Sequence, residues 1–371
     1  MAARSKPPYR ADHVGSLLRP PALLKAREDH AKGLISPAEL RRIEDAAIRD
    51  AVRLQEEVGL EGVTDGEFRR GSWHMDFLYQ IGGVTKVPEN VQVRFRSEAG
   101  EVAFTPTGIK VAEKLRLDRC IFADDFVFLK SATKATPKLT IPSPSMMHYR
   151  GGRANIDAKV YPELDAFWSD IARVYAEEIA ELAKLGCTYL QIDDTTLSYL
   201  NDPNQRAYID SIGGDSSVQH LTYIRTLNAA LENRPPGMTV CTHTCRGNFR
   251  SSWAASGGYD RIAEAVFGGL DVDGFFLEYD DARSGTFEPL RFVPNGKMVV
   301  LGLVTTKKGA LEKKDDLKRR IDQAAKILQL DQLCLSPQCG FSSTVDGNAL
   351  SVEEQRAKLR LVVETAREVW G

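Results

Sequence analysis

The sequence predicts an α/β fold: a (β/α)8 TIM barrel with a β-rich excursion after its second strand. Three observations lead there. Short apolar runs alternate with helix-sized amphipathic stretches along the chain, the pattern of parallel βαβ units. About eight such runs can be counted, which suits a closed barrel better than an open sheet. Most of them end in a polar or chargeable residue, and the C-terminal strand ends are the active face of such a barrel.

The elements follow in order. ADHVGS (11–16) is the first run, then comes a helix over about 37–58 and the second run, GVTDGE (62–67). Positions 87–132 fit the repeat badly: VQVRFRSEAGEVAFTPTG (91–108) alternates like a hairpin, so this stretch reads as an insertion at the rim or at an interface. KLTIPSP (138–144) returns to the barrel. The helix within YPELDAFWSDIARVYAEEIAELAKLG (161–186) leads to CTYLQIDD (187–194), and a helix over about 216–233 leads to MTVCTH (238–243). RIAEAVFGG (261–269) precedes VDGFFLEYD (272–280), which is followed by NGKMVVLGLVT (295–305). A charged helix over about 311–328, the run LCLSPQCG (333–340) and a closing helix SVEEQRAKLRLVVETAREVW (351–370) complete the pattern. No low-complexity stretch or linker divides the chain, so residues 1–371 are expected to form one domain.

Composition narrows the function. With 49 basic against 51 acidic residues, a net charge of −2, and no Lys/Arg block interleaved with aromatics, nucleic acid and membrane surfaces are poor candidate partners. The N-terminal MAARSKPPYRADHVGS has no apolar segment of signal-peptide type, and no run approaches the roughly 18 apolar residues of a membrane span. The six cysteines (120, 187, 241, 245, 334 and 339) do not read as a disulfide framework. A reducing cytoplasm is the expected location, where thiolates stay available as ligands.

The polar residues at the run ends are His13 and Ser16, Asp65 and Glu67, Asp193 and Asp194, His243 and Cys245, Glu278, and Cys339. In His243-Thr244-Cys245 the two-residue step points both side chains to one side of a strand, so a shared metal ion is geometrically permitted. Ordinary strand-end packing gives the same step. Zinc held by thiolates takes four ligands, so two more must come from other strands, and Glu278 and Cys339 end runs that barrel closure brings toward the same axis. One imidazole, two thiolates and one carboxylate would favour zinc over magnesium or calcium. Glu278 has a second reading as a salt bridge at the rim, and Cys187, Cys241 and Cys334 fit the role of small buried hydrophobes.

At this point the chain resembles the cobalamin-independent methionine synthase family, specifically its C-terminal catalytic barrel. The likeness is carried, in family order, by DHVGSLLRP (12–20), VTDGEFRRGSW (63–73), GCTYLQIDD (186–194), HTCRGN (243–248), FFLEYD (275–280), VVLGLVTTK (299–307) and SPQCGF (336–341). The resemblance implies a Zn2+ ion held by His243, Cys245, Glu278 and Cys339. It further implies that this ion keeps the homocysteine thiol deprotonated for attack on the methyl group of methyltetrahydrofolate, giving methionine. A free thiol has a pKa near 8.5, and coordination removes its proton at neutral pH while the sulfur stays nucleophilic.

By the same resemblance Ser16 takes the substrate carboxylate, and Glu67 and Asp193 receive its amino group, with His13 and Asp194 as further candidate contacts. Two carboxylates facing one ammonium make charge sense. Plainer roles are open for several of these: Asp193 or Asp194 capping the next helix, Glu67 pairing with Arg69 or Arg70, Ser16 as a turn residue. Two departures from the family stand out. Its full-length enzymes are about twice as long, with a second, N-terminal barrel that helps bind polyglutamylated folate. Where they carry a histidine assigned to acid work, this chain has Lys307 in VTTKKG, either a general acid or anion clamp or else a solvated loop lysine.

The expectation is therefore a zinc-dependent methyltransferase acting on a small-molecule thiol, with no resident cofactor besides the metal. Short relatives point to two other donors, a corrinoid (with a corrinoid protein as a possible partner) or an epoxide joined to coenzyme M. A metal-free barrel like uroporphyrinogen decarboxylase would share the scaffold and leave the mixed ligand set unexplained.

Overall fold

Seven parallel strands form a curled sheet, an incompletely closed barrel wall, in the computed structural model, which describes residues 4–88, 93–97, 100–104 and 108–371. The wall strands are β1 (Gly62–Val63), β6 (Thr136–Pro142), β7 (Tyr189–Asp194), β8 (Thr239–Thr244), β9 (Gly274–Glu278), β10 (Met298–Val304) and β11 (Leu333–Pro337), neighbours in that order. The excursion supplies β2 (Gly82–Val87), β3 (Val93–Ser97), β4 (Gly100–Phe104) and β5 (Gly108–Arg116). Every residue of β7, β9, β10 and β11 is buried. That is why these runs read as continuous apolar stretches rather than alternating ones: a parallel strand has helices on one face and the lumen on the other.

The register positions the site. Across β7 and β8, Asp193 pairs with His243 and Asp194 with Thr244. On the next strand His243 pairs with Phe276, and Glu278 pairs with Gly302 of β10. Strand periodicity puts Cys241 and His243 on one face of β8. Cys241 packs in the lumen with Val14, Tyr189, Phe276, Met298, Val300 and Cys334, so Cys241 and Cys334 are small buried hydrophobes there, as Cys187 is in the main core. Lys138 reaches into this lumen and pairs with Asp12 at 3.0 Å, both side chains fully buried, with its ammonium 4.0 Å from the centre of the Phe276 ring.

The first predicted run does not become a ladder strand. Ala11 makes a single parallel bridge to Leu335, with Asp12 N donating to Leu335 O at 3.0 Å. The Asp12 carboxylate accepts from Tyr9 N at 3.1 Å and from His13 N at 2.8 Å, so two backbone donors that a strand would offer its neighbour are taken locally. On its other side the segment is tied to the β1 region by Leu17 N to Gly66 O and by Thr64 Oγ1 to Gly15 O.

The excursion is β-rich as expected but starts earlier, at Gly82, and pairs as two antiparallel ribbons, β2 with β5 and β3 with β4. Residues 123–132, expected within it, form a helix that precedes β6. Positions 89–92, 98–99 and 105–107 of the predicted excursion lie outside the described residues. The other predicted helices are present, at Pro37–Val58, Leu164–Lys184, Gln219–Leu231, Ala263–Gly269, Lys314–Ala325 and Val352–Trp370. The last opens on a capping box: Ser351 Oγ accepts from Glu354 N, and Glu354 Oε2 from Ser351 N. Among the described residues no helix is long and apolar enough to cross a membrane.

Candidate metal centre

His243 and Cys245 leave β8 at the open end of the barrel, one pleat apart. The His243 ring nitrogen Nδ1 lies 3.3 Å from Phe276 O. A carbonyl can only accept, so Nδ1 carries the proton and Nε2 presents its lone pair; that Nε2 is buried and has no hydrogen-bond partner. Glu278, the last residue of β9, is oriented in the same manner. Its Oε1 accepts from Arg246 N at 3.1 Å, which leaves Oε2 buried without a hydrogen-bond partner. Cys339, just past β11, brings its Sγ to 3.4 Å from Cys245 Sγ, and Gly247 N donates to Cys245 Sγ at 3.3 Å.

The ligand atoms of His243, Cys245, Glu278 and Cys339 all lie within 4.8 Å of one another, and all four residues are buried. A metal ion fits this arrangement on two grounds. A buried imidazole lone pair and a buried carboxylate oxygen without hydrogen-bond partners are costly, and a cation satisfies both. Two sulfurs and an imidazole with one oxygen form a donor set for zinc. Without an ion the two sulfurs share a proton: the hydrogen bond from Cys245 holds the Cys339 thiol well below the usual range and pushes Cys245 well above it. Glycine is required beside Cys245, because Gly247 has φ +89° and a Cβ there would lie 2.7 Å from Tyr199 Oη.

The predicted substrate residues assemble beside the ligands. A cavity of about 310 Å³ is lined by Ser16, Glu67, Asp193, His243, Cys245 and Cys339 together. Asp193, the next-to-last residue of β7, accepts from Gln191 Nε2 at 2.6 Å; burial pushes its carboxyl up to about 7. Glu67 follows β1 at φ +60°, a left-handed conformation uncommon outside glycine. That turn is held by Asp65 Oδ1, which accepts from Glu67 N at 2.9 Å, and by Arg19 Nη2, which donates to Glu67 O at 2.8 Å. Glu67 Oε1 accepts from Thr140 Oγ1 at 2.8 Å with Arg70 at 3.7 Å, while Oε2 has no hydrogen-bond partner, and burial raises the carboxyl. Ser16 Oγ accepts from Ser342 N at 3.3 Å.

Three predicted residues sit elsewhere. Asp194 is outside the cavity lining and accepts from Ser145 Oγ, Thr196 Oγ1 and Leu197 N, the last two in the first turn of the short helix Thr196–Tyr199. His13 is buried in the wall, its backbone carbonyl held by Lys138, outside the cavity lining. Lys307 is buried rather than solvated and lies behind the lining, with Nζ 3.4 Å from Oδ1 of the cavity residue Asn248. Sequence reading passed over Arg150, Trp73, Phe95 and Phe249, which also line the cavity. Three come from loops, where no periodicity marks an inward side, and Phe95 from the excursion, whose alternation does not say which element it faces.

The sequence signature of the catalytic domain of cobalamin-independent synthase matches residues 11–368. The chain is 46% identical over 367 residues to the uncharacterized protein YxjH of Bacillus subtilis, covering 98% of this chain and 96% of that one. A crystal structure from Listeria monocytogenes, described as a putative vitamin-B12 independent methionine synthase, superposes with a TM-score of 0.79 at 36% identity, covering 99% of this chain and all of that one. A 5-methyltetrahydropteroyltriglutamate–homocysteine methyltransferase of Streptococcus agalactiae is 21% identical over 360 residues, which is 96% of this chain and only 43% of that protein. The chain belongs to the cobalamin-independent methionine synthase family, and its buried His/Cys/Glu/Cys set is the zinc site of a methyl- or alkyltransferase acting on a thiol.

Proposed function

We propose that this member of the family transfers a methyl group to the thiol of homocysteine, giving methionine. The observation that carries the reading is that the four metal ligands and the trio Ser16, Glu67 and Asp193 belong to one site, with an amino-acid-sized space between them. Zinc bound there would lower the pKa of the acceptor thiol so that it reacts as a thiolate at neutral pH.

The chain's own residues supply the rest. Ser16 donates its hydroxyl to the acceptor carboxylate. Glu67 and Asp193 accept from the acceptor ammonium, and the charge they take on is offset by that cation at the moment of binding. Arg246 holds Glu278 through its backbone N–H, and its guanidinium, 4.0 Å from Glu278 Oε2, donates to Tyr259 Oη and to the backbone carbonyls of Gly257 and Glu278. Lys307 is assigned to the donor side, where its ammonium stabilises the leaving group or gives it a proton. The donor is methyltetrahydrofolate or another methyl donor. A corrinoid donor delivered by a partner protein, or an epoxide with coenzyme M as acceptor, is the alternative. The reading takes residues 1–371 as one catalytic domain with the β-rich excursion, from Gly82 to Arg116, as an insertion within it. It places the protein in the cytoplasm, where its six free cysteines remain reduced.

Product analysis tests the reading. Zinc-loaded protein is incubated with homocysteine or coenzyme M against methyltetrahydrofolates, methylcobalamin and a small epoxide. Methionine mass from homocysteine is the expected result; S-alkylated coenzyme M with homocysteine unchanged would overturn the choice of acceptor.

A further inference from the structure

Glu278 stands where the sheet stops holding the metal ligands together. The β8–β9 register runs as far as Thr244 against Leu277, one residue short of Cys245 and of Glu278. Each of the two is tied to its far neighbour instead: Cys245 N donates to Asp194 O at 2.7 Å, and Glu278 pairs with Gly302 of β10. The gap between the strand ends is spanned by Tyr259, from the loop after β8. Its Oη accepts from Glu278 N at 3.0 Å and from Arg246 Nη1 at 3.1 Å, and it lies 3.2 Å from the hydroxyl of Thr244, the residue between His243 and Cys245. One phenol oxygen therefore touches both strand ends that carry ligands and the residue that follows Cys245.

Arg246 completes the brace. Its backbone N–H holds Glu278 Oε1, its Nη1 also donates to Glu278 O at 3.0 Å, and Nε and Nη2 both donate to Gly257 O. The guanidinium lies over the Tyr259 ring, 4.4 Å from its centre. Arg246, Tyr259 and Glu278 are all buried. Two thiolates and one carboxylate around a dication leave about one excess negative charge, and a buried guanidinium offsets it. Burial alone does not call for this bonding. The Tyr279 ring packs against Tyr259 with centres 5.5 Å apart, and its hydroxyl is buried with no hydrogen-bond partner among the described residues. The same aromatic cluster thus holds one phenol that bonds nothing and one that takes both strand ends.

We propose that Tyr259 is a positioning residue for the metal centre. Through its hydroxyl it sets where the end of β9 stands relative to the end of β8, and so where Glu278 meets the ion held by His243, Cys245 and Cys339. By fixing Arg246 it also keeps the compensating charge beside Glu278. Groups that orient metal ligands are worth about 10–100-fold in metal affinity. The inference rests on the zinc site and is independent of which thiol and which donor the protein takes.

Zinc affinity tests it without turnover. Full-length Tyr259→Phe, which keeps the ring, should bind zinc about 10–100-fold more weakly than wild type in competition with a chromophoric chelator. Tyr279→Phe, which removes the unpartnered hydroxyl next to it, should match wild type. With Co2+ in place of zinc, the visible ligand-field bands should shift in Tyr259→Phe and stay in Tyr279→Phe, a signature that a general loss of stability does not produce. Because Tyr259 acts through Glu278, adding Tyr259→Phe to Glu278→Ala should cost no more than about twofold further. Wild-type affinity and spectrum in Tyr259→Phe, equal losses in the two tyrosine variants, or a full further loss on top of Glu278→Ala overturns the proposal. If Tyr259→Phe does not fold, Arg246→Lys, which keeps the charge and gives up the guanidinium fork, is judged by the same criteria.

Discussion

The Sγ atoms of Cys245 and Cys339 lie 3.4 Å apart although the residues are 94 positions apart in the chain. Buried thiols placed face to face, beside an imidazole nitrogen and a carboxylate oxygen that have no hydrogen-bond partner, have a common reason in one bound ion. Cys245→Ser and Cys339→Ser should each lose most of the zinc and nearly all activity, because a hydroxyl is a far poorer zinc ligand than a thiolate. Metal analysis of the purified variants checks this; full occupancy in the Cys245→Ser/Cys339→Ser double variant would remove both sulfurs from the ligand set.

Glu67 has a free, buried Oε2 on the cavity side. Glu67→Gln should weaken homocysteine by roughly 1.5–3 kcal/mol, the worth of a charge-assisted contact. A thiol without an amino group, coenzyme M, should be little affected. Competition binding of the two thiols makes the comparison, and an equal loss for both would mean that Glu67 does not read the ammonium.

Lys307→Ala should keep its zinc and its acceptor KM and lose turnover by at least about tenfold, at the low end of general-acid effects. Burial beside Asn248 makes a purely solvated role untenable, but a structural role remains to be separated from a chemical one. The separation comes from kcat with metal content and melting temperature measured on the same samples: turnover should fall without a fall in either.

At Gly340 an added Cβ would lie 2.0 Å from Ser16 Oγ. Gly340→Ala must push Ser16 aside, at a cost of about 1–3 kcal/mol for overpacking a filled site. Thermal melts should show the lost stability, and kinetics a raised acceptor KM with the donor KM unchanged.

Glu178, on the helix Leu164–Lys184, is buried and accepts from Ile121 N at 2.8 Å; burial pushes its carboxyl up to about 8. The folded state thus holds a proton that the unfolded chain releases near the ordinary glutamate pKa. The stability this contributes is full at acid pH and is lost as pH rises toward 8. Glu178→Gln removes the titration while retaining an acceptor for Ile121 N. Denaturant melts at pH 5 and pH 8 should show the variant gaining on wild type at the higher pH.

Much of the site was legible because parallel strands carry their chemistry at their ends. His243 and Cys245 are read from a two-residue step, Glu278 from an acid that follows GFFL, and Asp193 from the end of an apolar run. Asp194 and His13 show the limit of that rule. Adjacent residues on a strand face opposite ways, and nothing local says which of Asp193 and Asp194 faces inward; the hydrogen bonds from Ser145 and Leu197 decide it. ADHVGS has the composition of a strand, yet Asp12 spends its carboxylate on its own backbone, so only one bridge forms.

By itself, then, the sequence determined the barrel class and the order of its strands, since periodicity and strand-end position are local properties repeated along the chain, while the four metal ligands were singled out by the family resemblance of the segments that carry them. Only the tertiary structure decided that Cys339 meets Cys245, that Lys307 is buried behind the lining, and that Arg150 and Phe95 share a cavity with the ligands. These depend on sheet curvature and on loops packing across the open end, where residues far apart in sequence compete for the same space and no repeat in the sequence marks which of them will face it.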